Sequence, residues 1–307
     1  MITELLIYKI LQLFVMMIIG FLIAKAKIID RAGSLILSKL SLYLLMPAAI
    51  INAFDFESSA ALRNGLLFSF SAAIIIHIIF ILLDMLYGKF ISNHAVERAS
   101  IMYSNAGNLI IPIVSFVLGP EWVVFSATFL SVQLFFLWSH GVRLFRPQEK
   151  FDFKKVLFNV NIISILLGVV MMIFGIRLPV FVKDITSSFG SMLGPIGMLI
   201  TGVLAADVDF KKVLWEKRLY RATIFKLLVY PFIVLIALKL LSFIPVVDGE
   251  KILLVSFLAA IAPTAATIMQ FSQINNSDTE YATTINICTT IACVITMPLW
   301  VMIFSYL

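Results

Sequence analysis

The chain has 307 residues, 62% of them hydrophobic and 13% charged, with a mean hydropathy of +1.07 and a net charge of +6. A soluble fold of this length has too little interior to hide that much apolar surface, which excludes a water-soluble enzyme as the ground plan. The basic residues stand in short stretches between apolar runs, so the positive charge reads as topogenic and not as a nucleic-acid footprint.

Taken in order, apolar runs lie at 5–24, 34–54, 63–87, 95–118, 121–145, 156–175, 185–206, 219–241, 250–273 and 279–304. Most approach or exceed the ~20 residues that cross a bilayer core, so ten transmembrane helices are expected. The start, Met1-Ile2-Thr3-Glu4, lacks a basic region ahead of its apolar run, and no cleaved leader is expected. The second run carries Pro47 and Asn52. The third carries His77 and Asp84, seven apart and so on one face, a pair that could relay a proton. Gly119-Pro120 separates the fourth and fifth runs so briefly that these should be antiparallel neighbours, and Gln133 sits midway along the fifth. The longest polar connection, Arg146 to Lys155, falls at mid-chain. Gly190, Gly194 and Gly197 on the seventh run suit close helix packing. Lys226, like His140, is expected near a membrane face, where its long stem can snorkel to water. The two cysteines, Cys288 and Cys293, read as small buried residues of the last run, and no metal-ligand cluster is present.

Lys and Arg near the ends of the runs set the orientation. Fifteen follow odd-numbered runs and five follow even-numbered ones, which places the odd loops in the cytoplasm and both termini outside.

Two runs are broken near their middles: Ser104-Asn105-Ala106-Gly107-Asn108 followed by Pro112, and Ala262-Pro263-Thr264-Ala265-Ala266-Thr267. A break inside hydrocarbon frees backbone N–H and C=O groups that protein or a water-filled cavity must satisfy. Pro112 and Pro263 lie 151 apart, and Gly20 precedes Pro47 by the same 27 residues by which Gly168 precedes Pro195. Five runs per half, an odd number, would thread the second half in the opposite direction, giving an inverted repeat of 1–150 and 151–307. In that arrangement Gly107, Pro112 and Pro263 mark a crossing of the two breaks near the midplane, with new half-helices starting at Pro112 and Pro263. The helix N-termini there, with Asn105, Asn108, Thr264, Thr267 and Gln270, form a neutral site suited to an anion. Gln133 and Asn52 are weaker candidates for the same site. The competing reading is that these side chains only satisfy broken backbone. Exposed carbonyls at a break can also coordinate Na⁺, which leaves Na⁺ or H⁺ coupling open.

The stretches Ser104-Asn105-x-Gly107-Asn108-x-x-x-Pro112, Ala262-Pro263-Thr264-Ala265-Ala266-Thr267 and Leu45-Met46-Pro47 with Asn52 resemble the auxin efflux carrier family in its short bacterial, malate/malonate permease-like form. The resemblance implies an all-α integral membrane fold like that of sodium/bile-acid symporters, with crossed broken helices 4 and 9. It also implies a scaffold of helices 1, 2, 6 and 7, a transport domain of helices 3–5 and 8–10, a homodimer in the inner membrane, and small organic anions as substrates. No enzyme activity, organic cofactor or nucleic-acid partner is expected. The short loop at 146–155 stands where plant members carry a long hydrophilic one, and the first break lacks their Asn-Pro-Asn arrangement.

Overall fold

The computed structural model describes residues 2–55, 60–148, 154, 157–209 and 215–307. Among them the regular structure is helical: α1 Ile2–Lys25, α2 Arg31–Ala53, α3 Ala60–Phe90, α4 Ala95–Met102, α5 Ala106–Val117 and α6 Val123–Phe145 in the first half. The second half holds α7 Val160–Phe174, α8 Val180–Ala205, α9 Lys217–Leu241, α10 Gly249–Ile261, α11 Ala266–Ile274 and α12 Thr279–Tyr306. Six helices, namely α2, α3, α6, α8, α9 and α12, are long and apolar enough to cross a membrane; Leu11–Lys25, α5 and α7 are shorter apolar helices. The predicted runs at 95–118 and 250–273 are each split in two, as α4/α5 and α10/α11. The start of the sixth run, at 156, lies outside the described residues.

The long helices sort their apolar residues by face. On α12, Ile291, Ile295, Leu299 and Met302 are exposed, while Cys293, Met297, Val301 and Phe304 are buried. On α3, Leu67, Ile74, Ile78 and Leu82 face outward, and Ala73, Ile76, His77 and Phe80 face the core. Outward stripes of large apolar residues at helical spacing are what lipid contact requires and what water would penalise.

Proline shapes three of these helices in one way. The widened turns Ser41–Leu45, Ala106–Ile110 and Phe225–Val229 each end two residues before a proline: Pro47, Pro112 and Pro231. A proline cannot donate to the carbonyl four residues back, and its ring clashes with that carbonyl. Widening the preceding turn, as in the bond from Met46 N–H to Ser41 O, relieves the clash without breaking the helix. In two of these turns a carbonyl then finds a side-chain donor. Trp300 Nε1 donates to Leu227 O, the group that Pro231 leaves without a donor, at 2.8 Å, and Asn161 Nδ2 donates to Leu42 O at 3.0 Å.

α1 and α8 pack backbone to backbone. A Cβ at Gly202 would stand 1.9 Å from Met17 O, and one at Gly20 would stand 2.3 Å from Leu199 O, so only glycine permits this approach.

Candidate functional site

The two breaks meet. Ser104 and Thr264 form an isolated antiparallel bridge, in which Asn105 N–H donates to Pro263 O at 2.8 Å and Ala265 N–H donates to Tyr103 O at 3.0 Å. Each break also reaches across to the helix end of the other. Ser104 Oγ donates to Ala260 O at 2.8 Å, and Thr264 Oγ1 donates to Ser100 O at 2.9 Å. The exchange is reciprocal and carries a constant separation of 160 residues: Ser104 matches Thr264, and Ser100 matches Ala260.

The remaining backbone groups of the bridge are met by neighbouring helices. Gln133 on α6 clamps Ser104, its Oε1 accepting from Ser104 N–H at 2.9 Å and its Nε2 donating to Ser104 O at 2.8 Å. On α12, Thr289 Oγ1 accepts from Thr264 N–H at 3.1 Å, and Asn286 Nδ2 donates to Thr264 O at 2.6 Å. A buried unpaired backbone group costs about 1–3 kcal/mol, which is the reason three polar side chains converge on the four backbone groups of two residues.

Two expectations are corrected. The half-helix after the first break starts at Ala106, six residues before Pro112, and the one after the second starts at Ala266 and not at Pro263. Pro263 lies in the crossing, where its carbonyl is an acceptor, but Pro112 lies along α5, eight residues past Ser104. The missing donor of Pro112 is absorbed by the widened turn at Ala106–Ile110, so no new helix has to begin there. Gly107 falls in that turn, one residue inside α5.

The sequence-predicted polar residues divide by hydrogen bonding. Gln133 and Thr264 are consumed in holding the breaks, as above. Asn105 Nδ2, Asn108 Oδ1, Asn52 Oδ1 and both amide atoms of Gln270 are buried without a hydrogen-bond partner. Thr267 is buried on the first turn of α11. The N-termini of α5 and α11, preceded by Asn105 and Ala265, carry no side-chain cap. Backbone carbonyls take part of the first turn instead: Ala106 N–H donates to Ser104 O at 2.8 Å, and Ile268 N–H donates to Ala265 O at 3.0 Å.

Asn108 lies on the glycine surface of α8. A Cβ at Gly197 would stand 2.2 Å from Asn108 Nδ2, and one at Gly194 would stand 3.1 Å from Asn108 O. Gly190, the third member of the predicted seam, instead meets Ala49 of α2, where a Cβ would come within 2.9 Å of Ala49 Cα. Beside this surface, between α5 and the faces of α2 and α8, is a cavity of 510 Å³ lined by Asn52, Asp55, Gly107, Pro112, Ser115, Glu121, Ser187, Ser191 and Gly194 among others. Asp55 does not make that cavity a cation trap. Arg177 Nε and Lys183 Nζ both reach it at 2.8 Å, and Leu178 N–H donates to it at 3.0 Å. Burial alone would raise its pKa, but these partners outweigh burial and lower it to about 2.

His77 and Asp84, the pair that could relay a proton, bond to different partners. His77 Nδ1 bonds its own helix at Ala73 O, and the ring stacks on Phe136. Asp84 instead takes Arg98 Nε at 2.9 Å and stands 3.1 Å from His140 Nε2; His140 Nδ1 is 3.0 Å from Tyr103 OH. Lys226 is the residue that sequence reasoning misplaced. It is 1% exposed, not snorkelling, and its Nζ donates to Ser104 Oγ at 2.6 Å. The signal available in the sequence was Pro231 five residues on, which widens the turn that carries Lys226 inward.

Two broken helices joined by an antiparallel backbone bridge inside an apolar helical body are an arrangement found in membrane transporters. The chain belongs to the membrane transport protein family, the auxin efflux carriers, whose profile matches it twice, over residues 5–155 and 148–301. No curated protein matches the chain.

Proposed function

We propose that the protein is a secondary carrier that moves small organic anions, mono- or dicarboxylates such as malate or malonate, across the cell membrane by alternating access. The observation that carries this reading is the pair of buried amide donors without a partner, Asn105 Nδ2 and Gln270 Nε2, together with the Asn108 amide three residues past Asn105, at two helix N-termini that carry no side-chain cap. Amide N–H donors and the positive ends of helices hold a carboxylate without a fixed counter-charge. The 510 Å³ cavity, with Asn52 on its wall, extends the same site along the faces of α2 and α8. The volume is in the range of small-molecule sites.

In this reading ten spans form two inverted five-span repeats, 1–150 and 151–307, consistent with the double family match and with the antiparallel bridge. The span pairs α4/α5 and α10/α11 are the crossed fourth and ninth, so the bound anion sits where the two halves meet. α1, α2, α7 and α8 form the scaffold, the remaining helices form the transport domain, and Asn108 rides on the glycine surface of α8 between them. The carrier is a homodimer in the inner membrane with both termini outside.

Uptake of labelled malonate and malate into proteoliposomes tests the reading. Asn108→Ala and Gln270→Ala are expected to reduce flux at least tenfold while the purified proteins remain monodisperse. Unchanged flux in both would remove these amides from the substrate path.

A further inference from the structure

We propose that the Lys226 side chain is a tethered cation, filling at the crossing the place that a dissolved monovalent cation would otherwise take. α4 and α10 both end at the crossing, so their last carbonyls bring two partly negative helix ends together. Unwound carbonyls and half-helix C-termini are the groups that coordinate Na⁺ at the breaks of transporter helices. Here the cation arrives on the protein. Lys226 Nζ donates to Ser104 Oγ at 2.6 Å, and that hydroxyl in turn donates a hydrogen bond to Ala260 O at 2.8 Å, one residue before the end of α10.

Among the described residues no carboxylate lies within ion-pair distance of Lys226; the titratable groups that face it are His77 from α3 and Cys293 from α12. A buried ammonium with one neutral partner is unfavourable unless oriented dipoles compensate it, and the converging carbonyl ends are the dipoles present. The geometry of α9 is arranged for this contact: Pro231 widens the turn at Phe225–Val229, and Trp300 takes the carbonyl of Leu227. A carrier built this way needs no Na⁺ to assemble its crossing, and its transport draws on no Na⁺ gradient.

The test uses the full-length purified protein and compares wild type with Lys226→Met by thermal unfolding in N-methylglucamine chloride, NaCl and methylammonium chloride at equal ionic strength. The wild type is expected to melt at one temperature in all three salts. Lys226→Met is expected to melt several degrees lower in N-methylglucamine and to recover in methylammonium or Na⁺, because the site has lost its own cation. A wild type stabilised by Na⁺, or a Lys226→Met protein indifferent to both small cations, would overturn the proposal. If the variant does not fold in N-methylglucamine, its monodisperse yield when purified with and without methylammonium reads the same rescue, and failure in both overturns it. Only a second arm, malonate flux into proteoliposomes with and without Na⁺, rests on the anion-carrier reading. Absent wild-type flux would refute that substrate while leaving the melting result to decide the cation, and Na⁺-dependent flux would refute the tethered cation.

Discussion

Replacing Gln133 by Leu separates a residue that holds the backbone from one that holds substrate. Gln133 satisfies both main-chain groups of Ser104, at 2.9 and 2.8 Å, and both lie in the buried crossing. Leucine has similar bulk but neither donor nor acceptor, so two buried backbone groups lose their partners together. At about 1–3 kcal/mol for each orphaned group, the loss is roughly 2–6 kcal/mol, a large share of the stability of most folded proteins. Gln133→Glu keeps the acceptor for Ser104 N–H and loses the donor to Ser104 O, and it should fall between wild type and Leu. The assay is thermal unfolding of detergent-purified protein without substrate, with flux measured in parallel on the folded fraction. A Gln133→Leu protein that melts with wild type, yet shows a raised KM, would refute the clamp and return Gln133 to the substrate site.

Gly202→Ala puts a methyl 1.9 Å from Met17 O and must force α1 from α8; a loss of about 1–3 kcal/mol or more is expected, read as a lower melting temperature. Gly197→Ala has a flexible amide to push against and should melt nearer wild type while weakening substrate affinity through Asn108, which titration of binding would show. Asp55, its pKa lowered to about 2 from the ordinary 3.8, contributes stability above pH 3.8 that disappears as the pH falls through 2. Asp55→Asn should therefore melt below wild type at neutral pH, the gap closing across that acidic window in a pH series of melts.

Much of the fold was written in local patterns. Apolar runs and the two small-residue breaks are properties of neighbouring residues, and the helices follow them within a few positions. The register of the crossing was not legible in this way. Matching prolines gave a spacing of 151, while the bridge sets Ser104 against Thr264, 160 apart. Proline marks where a donor is missing, but a widened turn can absorb that loss, whereas Ser104 and Thr264 are identified by hydroxyls that bond a distant helix end. The division of the polar residues was equally hidden. Gln133 and Asn108 look alike as intramembrane amides, and only their partners distinguish a backbone clamp from an unpaired group. Lys226 misled for a related reason: its distance from the helix start suggested water, but side-chain direction is set by the turn ahead of Pro231.

The shared bridge also bears on how the chain is made. Asn105 N–H, Tyr103 O and Ser100 O have their partners at Pro263, Ala265 and Thr264, more than 150 residues downstream. A ribosome delivers the first half before those partners exist, so the pairing of residues 100–105 seen here cannot form until the second half has been made. The site is completed as one of the last events of biosynthesis, and a nascent chain truncated before residue 263 should remain a substrate for membrane quality-control proteases.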